Sequence, residues 1–296
     1  MAAPIVSVII PTYNHAHFLT AALDSVRNQT CADWEAIVID NFSSDDTVAV
    51  VERFGDPRIR LVQFANQGII ASSRNHGIAL TTAPYVAFLD SDDTWESEKL
   101  ELSLAKLQEG YDLVCHAETW VGPGSRRREV IYGPRERASY DSMLFDGNCI
   151  STSAVVVARK LLEQAGGFSE HASFNTAEDY DLWLKLAALG ARMEFIPRVL
   201  GQYLIHTTNQ SKTPLRNMQA ISAVFEHHLQ QLPAERASPK RVAHRRGTIF
   251  YSGARSLHAA GHFHEAWRYY WKALQLYPGR MQTWVAIVLN ALRIVR

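Results

Sequence analysis

The first hundred residues alternate between two hydrophobic rhythms. Ile5–Ile10 (IVSVII) is a short β-branched apolar run, the pattern of a strand buried on both faces. Pro11 is expected to end it. From His17 to Gln29 the apolar residues Phe18, Leu19, Ala22, Leu23 and Val26 recur at helical spacing. Trp34–Ile39 is a second strand pattern, closed by Asp40. Ser43–Phe54 returns to helical spacing, and its composition predicts a serine cap with acids in the first turn. Ile59–Phe64, Ser72–Leu80, Tyr85–Leu89 and Glu96–Gln108 continue strand, helix, strand, helix. Such alternation predicts a mostly parallel sheet covered by helices on both faces.

The middle of the chain is less regular. Tyr111–Trp120, Ile150–Val157 and Phe195–Ile205 read as extended, and Gly122–Arg137 as a loop or hairpin rich in Gly, Pro and Arg. Ala177–Leu189 has one apolar stripe (Leu182, Trp183, Leu186, Leu189) and a glycine stop at Gly190, which predicts a helix. Beyond about residue 213 only helical patterns remain: Asn217–Gln231, Arg241–Ala260 and His264–Leu276. The glycine turn in AAGHFHEAW fits one helical-hairpin repeat or a plain helical appendage. The expected organisation is an α/β domain over 1–212 and a helical extension over 213–296.

Composition narrows the function classes. Lys+Arg and Asp+Glu both number 30 in 296 residues, so no net charge steers the chain to nucleic acid. Cys31, Cys115 and Cys149 lie too far apart for a zinc spacing or a disulfide framework. The N-terminal MAAPIVSVII lacks the basic start of a secretory signal. No stretch reaches the roughly 18 apolar residues of a membrane span. A cytoplasmic protein is expected.

Candidate chemistry gathers where strands end. In an open parallel sheet, ligands bind at the carboxyl ends of the strands. There the sequence places Thr12-Tyr13-Asn14, Asp40-Asn41, Asn66-Gln67-Gly68 and Asp90-Ser91-Asp92. Two alternate aspartates at a strand end can aim their carboxylates at one point, where a divalent cation would relieve their repulsion and hold a diphosphate. The same residues also fit a capped turn leading into a helix. Arg74, on the helix before these aspartates, could reach a phosphate or lie on a solvated face. Glu178-Asp179-Tyr180-Asp181 opens a helix with three acids; it fits a general base or a first turn matched to the helix dipole.

Taken in order, SVIIPTYN, IDNFSSDDT, NQGIIASSRNHGIA, YVAFLDSDDTW, GGF, AEDYDLWLKLA and YLIHTTNQS resemble the family 2 glycosyltransferases of the GT-A fold. The resemblance covers about residues 5 to 212. It implies a nucleotide-sugar donor, a divalent metal (Mn²⁺ or Mg²⁺) and inversion at the anomeric carbon. It also implies roles. Pro11, Thr12 and Tyr13 would floor the nucleoside pocket. Asp40 would begin the family's D-D-G-S element, which reads base and ribose, and Gly68 would sit in the turn before Arg74. Asp92 would bind metal, with Asp90 nearer the ribose. Asp179 would be the catalytic base, with Glu178 and Asp181 as runners-up. His206 would complete the metal site or touch the diphosphate. One departure stands out: the family's second Asp is Asn41 here, and its Gly is Phe42. Asn41 can still accept a hydrogen bond from a base, so a uridine donor is favoured with guanosine and thymidine left open.

The expected partners are therefore a nucleotide-diphosphate sugar and a glycan or lipid-linked acceptor, in surface polysaccharide synthesis. The acceptor is expected over 122–137 and 145–153. A non-catalytic sugar-nucleotide-binding or scaffold subunit is the rival. A nucleotidyltransferase fits less well, because PTYNHAHF is not a glycine-rich phosphate loop. The tail GRMQTWVAIVLNALRIVR has no acid and a wide apolar arc. It fits a helix lying on the inner face of a membrane, or one packed on the protein or on a second subunit.

Overall fold

The structure is a computed structural model that describes residues 3–206 and 213–295. Contacts divide the chain into two compact units. One comprises residues up to 143, 148–170 and 181–206; the other comprises 144–147, 171–180 and the C-terminal helices. The expected cut at 212/213 touches residues outside the described ones. The helical unit also takes in two earlier segments.

The first unit begins β1 (Val6–Thr12), α1 (Ala16–Arg27), β2 (Trp34–Asp40), α2 (Thr47–Phe54), β3 (Ile59–Gln63), α3 (Ile70–Leu80), β4 (Tyr85–Phe88), in the alternation the periodicity predicts. After these come β5 (Thr94–Trp95), α4 (Lys99–Gln108), β6 (Leu113–Val121), β7 (Arg127–Val130), α5 (Tyr140–Asp146), β8 (Val155–Ala158), α6 (Arg159–Ala165), α7 (Glu178–Ala188) and β9 (Met193–Leu204). The nine strands form one sheet in the order β3-β2-β1-β4-β8-β6-β9-β5, with β7 on β6. β3, β2, β1 and β4 are parallel; β8 runs antiparallel between β4 and β6.

Burial explains the unbroken apolar strands. Val6, Val8 and Ile10 face a core built with Leu19, Leu23 and Val26 of α1, Val50 and Val51 of α2, and Leu100 and Leu104 of α4. The opposite face meets α3. A Cβ on Gly77 would lie 2.5 Å from the Ile9 side chain, so only glycine permits this approach. Phe88 continues that face against Phe168, which in turn meets Trp183 of α7.

Three local expectations change. First, β1 continues through Pro11. Odd residues of β1 bond to the β4 side (the Ile9 carbonyl accepts from Leu89 N, 3.1 Å) and even ones to β2 (Thr12 from Asn41 N, 3.0 Å). Pairing with β4 stops at Ile9, so the missing N–H of Pro11 falls where no strand needs it. Second, Ser43 does not cap α2, which starts at Thr47; Ser43 bonds back to Asp40 instead. Third, Gly122–Arg137 contains a hairpin, β7 on β6.

The second unit is built from α8 (Pro214–Gln231), α9 (Pro239–Ala259), α10 (Phe263–Leu276) and α11 (Met281–Ala291). Ala254, Leu257, Ala266, Tyr270, Leu274, Ala286 and Ile287 form its core. Gly253 gives α8 a close approach, because a Cβ there would meet Met218 Sδ at 2.3 Å. The segment 144–147 joins through Phe145 against Phe225, and 171–180 through Phe174 against His227.

Candidate active site

Four parallel strands bring their carboxyl ends to one edge, and short polar loops tie those ends together. Asn14, in left-handed backbone, donates its N–H to Ser43 Oγ (2.8 Å) and accepts from Ser44 N (2.8 Å). That fastens the loop after β1 to the loop after β2. Asn41 Oδ1 accepts from Asn66 N (3.0 Å) and fastens β2 to β3. Asp40 is fully buried and accepts from Ser43 N and Oγ (3.1 and 2.5 Å) and from Gln63 Nε2 (3.4 Å). Pro11 and Thr12 lie buried beneath this edge and Tyr13 is exposed on it. Gly68 adopts φ +80 and donates its N–H to Asn66 Oδ1 (2.9 Å).

Phe42 has φ +53 and is 57% exposed. A bulky side chain there costs roughly 1–2 kcal/mol that glycine avoids. Phe42 thus carries a phenyl ring at a left-handed backbone position that glycine adopts without strain.

The aspartate cluster resolves into three different environments. Asp93 is buried; its carboxylate accepts from Ser153 Oγ (2.6 Å) and Leu204 N (3.0 Å) and secures the strand end to the sheet. Burial, and then the neighbouring Asp92, hold its carboxyl well above the usual range. Asp90 pairs with Arg74 Nη2 (2.7 Å), while its N–H donates to Ser153 Oγ (3.1 Å). Arg74 is only 3% exposed, and its guanidinium holds Asp90 at the sheet edge. Asp92 Oδ2 lies 2.7 Å from His206 Nε2. Burial and Asp90 raise the Asp92 carboxyl, against the hydrogen bond from His206.

The remainder of the YLIHTTNQS motif, residues 207–211, lies outside the described residues. Among the described residues, no three His, Cys, Asp or Glu side chains form a ready metal cage. The donor chemistry nevertheless fits a hard divalent ion: a carboxylate and an imidazole in contact, with a second carboxylate beside them.

Sequence reasoning missed three supporting residues. His15 Nδ1 meets Ser91 Oγ at 2.8 Å, inside the aspartate turn. Ser153 touches both Asp90 and Asp93. Asn75 clamps the turn after Gly167 by bonding both the N–H and the carbonyl of Phe168 (2.9 Å each). Only the adjacency of Asn75 to Arg74 hinted at any of these.

The second acid cluster is described on its own helix. Glu178 is buried and its carboxylate accepts from Thr176 N (2.8 Å), closing the turn that precedes α7. Thr176 itself has φ +92, an outlier for a β-branched residue. Asp181 is buried and lies 3.4 Å from Lys185 Nζ. Asp179 is the half-buried member, its Oδ1 accepting from Tyr180 N (2.7 Å).

The model of the family described as "Glycosyl transferase family 2" matches residues 7–163, more than half of the chain. The chain belongs to glycosyltransferase family 2. It is 33% identical over 183 residues to the UDP-Glc:alpha-D-GlcNAc-diphosphoundecaprenol beta-1,3-glucosyltransferase WfgD of Escherichia coli, covering 62% of this chain and 69% of that one. It is 30% identical over 210 residues to the putative teichuronic acid biosynthesis glycosyltransferase TuaG of Bacillus subtilis strain 168, covering 68% and 79%. Among solved structures, a mannosyltransferase from Pyrobaculum calidifontis in complex with GDP-Man and Mn²⁺ superposes with a TM-score of 0.64 at 20% identity, over 100% of this chain and 88% of that one. The family assignment makes the chain a glycosyltransferase, and the superposition makes its fold GT-A.

Proposed function

We propose that this glycosyltransferase moves a sugar, with inversion, from a nucleotide-diphosphate donor to a glycan or lipid-linked acceptor in surface polysaccharide synthesis. The observation that carries the reading is the differentiated aspartate turn. Asp93 faces the protein and Asp90 is held by Arg74, while Asp92 meets His206 at the carboxyl edge of the sheet. An acid cluster made only to end a strand would not need an imidazole at its second position.

In this reading Pro11, Thr12 and Tyr13 floor the nucleoside, Asp40 orders the loop that reads base and ribose, and Gly68 keeps the adjoining turn open. Asp92 and His206, with Asp90 beside them, hold the divalent metal. When bound, that ion neutralises the charge of the leaving diphosphate. Asp179 takes the proton from the acceptor hydroxyl as it attacks the anomeric carbon. Glu178 is committed to the turn before α7, which supports Asp179 as the base. A UDP-sugar is the favoured donor, in keeping with the name of the E. coli relative. Asn41 Oδ1 accepts from Asn66 N, and an amide oxygen has a second lone pair with which it can accept from a base.

The test is a thermal-shift panel with Mn²⁺ or Mg²⁺ plus UDP, GDP, dTDP or CDP, on wild type and Asp92→Ala, followed by turnover with the matching sugar. Metal-dependent stabilisation by one nucleotide, lost in Asp92→Ala, is expected. Stabilisation without metal, or unchanged in Asp92→Ala, would remove the metal role. No stabilisation by any nucleotide would return the scaffold reading.

A further inference from the structure

Helix α11 is inside out. The side it buries carries Thr283 and Asn290 beside Ala286 and Ile287, and Asn290 Nδ2 donates to the Phe263 carbonyl (2.9 Å). The side it exposes is Met281, Trp284, Val285, Val288 and Leu292, with Met281 at 72%, Val288 at 58% and Leu292 at 63% exposure. A water-facing helix has the opposite pattern. Of the apolar arc Trp284, Val285, Ile287, Val288, Leu292, Ile294 and Val295, only Ile287 is buried, so packing on the helical unit does not account for the rest.

The exposed face extends onto α10. Trp267 and Trp271, one turn apart, are exposed with ring centroids 6.0 Å apart, and Trp271 meets Trp284 at 6.3 Å. Three tryptophans thus run across two helices. Charge completes the picture. Residues 239–296 contain ten Lys or Arg and a single acid, Glu265, in a chain whose total charge is zero. Arg268 and Lys272 each follow one of these tryptophans in α10, and Arg293 follows Leu292.

The geometry points to an anionic lipid bilayer as the occupant of this face. Tryptophan is suited to the membrane interface, the valines and leucine to the acyl boundary, and the flanking cations to acidic headgroups. A second copy of the chain fits poorly. A symmetric contact through this face would bring Arg268, Lys272 and Arg293 toward their own copies with only Glu265 among residues 239–296 to offset the charge. Among the described residues no helix is long and apolar enough to cross a membrane, so the helix lies on the surface. The inference deepens the reading above, on which it rests only for its purpose: bringing the enzyme to an acceptor carried by lipid.

The experiment is flotation of the full chain with vesicles of phosphatidylcholine alone or containing phosphatidylglycerol, with tryptophan fluorescence recorded in parallel. Wild type is expected to float with the anionic vesicles and its emission to shift to the blue. Val288→Glu with Leu292→Glu should reduce the bound fraction by roughly tenfold or more, and Arg268→Gln with Lys272→Gln should weaken it less. Folding of each variant is checked by its nucleotide thermal shift, so lipid binding and donor binding can fail separately. Failure of wild type to float, or a stable dimer that Val288→Glu with Leu292→Glu dissociates, would overturn the lipid assignment.

Discussion

Two stretches of this chain place three acids within four residues, and they teach the same lesson from opposite local structures. Asp90-Ser91-Asp92-Asp93 follows a buried strand; Glu178-Asp179-Tyr180-Asp181 opens a helix. In the first, Asp93 is buried on hydrogen bonds from Ser153 and Leu204, and Asp90 is matched to Arg74. In the second, Glu178 is buried on the Thr176 N–H, and Asp181 is buried near Lys185. Asp93, Glu178 and Asp181 thus serve local structure and Asp90 is held by Arg74 beside the proposed metal site, while Asp92 and Asp179 are the two we assign to metal binding and proton transfer. Acid density marks the site, whereas the partner of each acid separates function from scaffolding.

The comparison predicts its largest effect in catalysis. Asp179→Asn should reduce kcat by about a thousandfold, the usual scale for losing a general base, while nucleotide stabilisation stays intact. Glu178→Gln keeps an acceptor for Thr176 and should retain most turnover. If Glu178→Gln falls as far as Asp179→Asn, or Asp179→Asn stays active, the roles within the helix cluster are reversed.

The next effect is on stability. Asp93→Ala leaves the Leu204 N–H and the Ser153 hydroxyl without their acceptor and should destabilise by about 3 kcal/mol, read from denaturant midpoints. Asp93→Asn preserves an acceptor and should cost much less. Equal losses for Ala and Asn would mean that charge, not hydrogen bonding, holds Asp93.

Much of this division was invisible in sequence for a physical reason. The strand–helix rhythm and the ordered motifs placed the sheet edge, because periodicity reports which face of an element is buried. Partners such as Ser153, 60 residues from Asp93, are set by how β8 pairs with β4, and no local pattern encodes that pairing. Arg74 fitted either a phosphate contact or a solvated face in sequence; only the fold supplies Asp90 as its partner. The α11 pattern left two readings open, a helix on a membrane or a helix packed on protein, because an apolar arc does not say what covers it; in the fold Thr283, Ala286, Ile287 and Asn290 make the contact.

A third acid isolates burial from function. Glu118 accepts from the Tyr132 hydroxyl (2.6 Å), and burial pushes its carboxyl up to about 7. The folded state therefore holds its proton more tightly than the unfolded chain, whose carboxyl titrates near 4.5. Its contribution is fully present below that lower value and is lost as pH rises through about 7. The total loss is on the order of 3 kcal/mol. Glu118→Gln should flatten this part of the pH dependence in urea denaturation. An unchanged profile would show that the acid is solvated in the folded protein.

The smallest effect concerns Phe42, and it decides whether a departure from the family pattern is a relic or a device. Replacing Phe42 by Gly relieves a left-handed strain of roughly 1–2 kcal/mol but adds unfolded-state entropy worth about 0.5–1 kcal/mol. The net expectation is a gain of up to about 1 kcal/mol in stability. The ring is exposed beside the loop that we assign to the base, where an aromatic face adds roughly 0.5–1.5 kcal/mol to a stacked contact. Phe42→Gly should therefore bind the preferred nucleotide severalfold more weakly while melting higher. A variant that melts higher and binds equally well would leave Phe42 as strain without a purpose. Base reading would then rest on Asn41 and the loops it ties together.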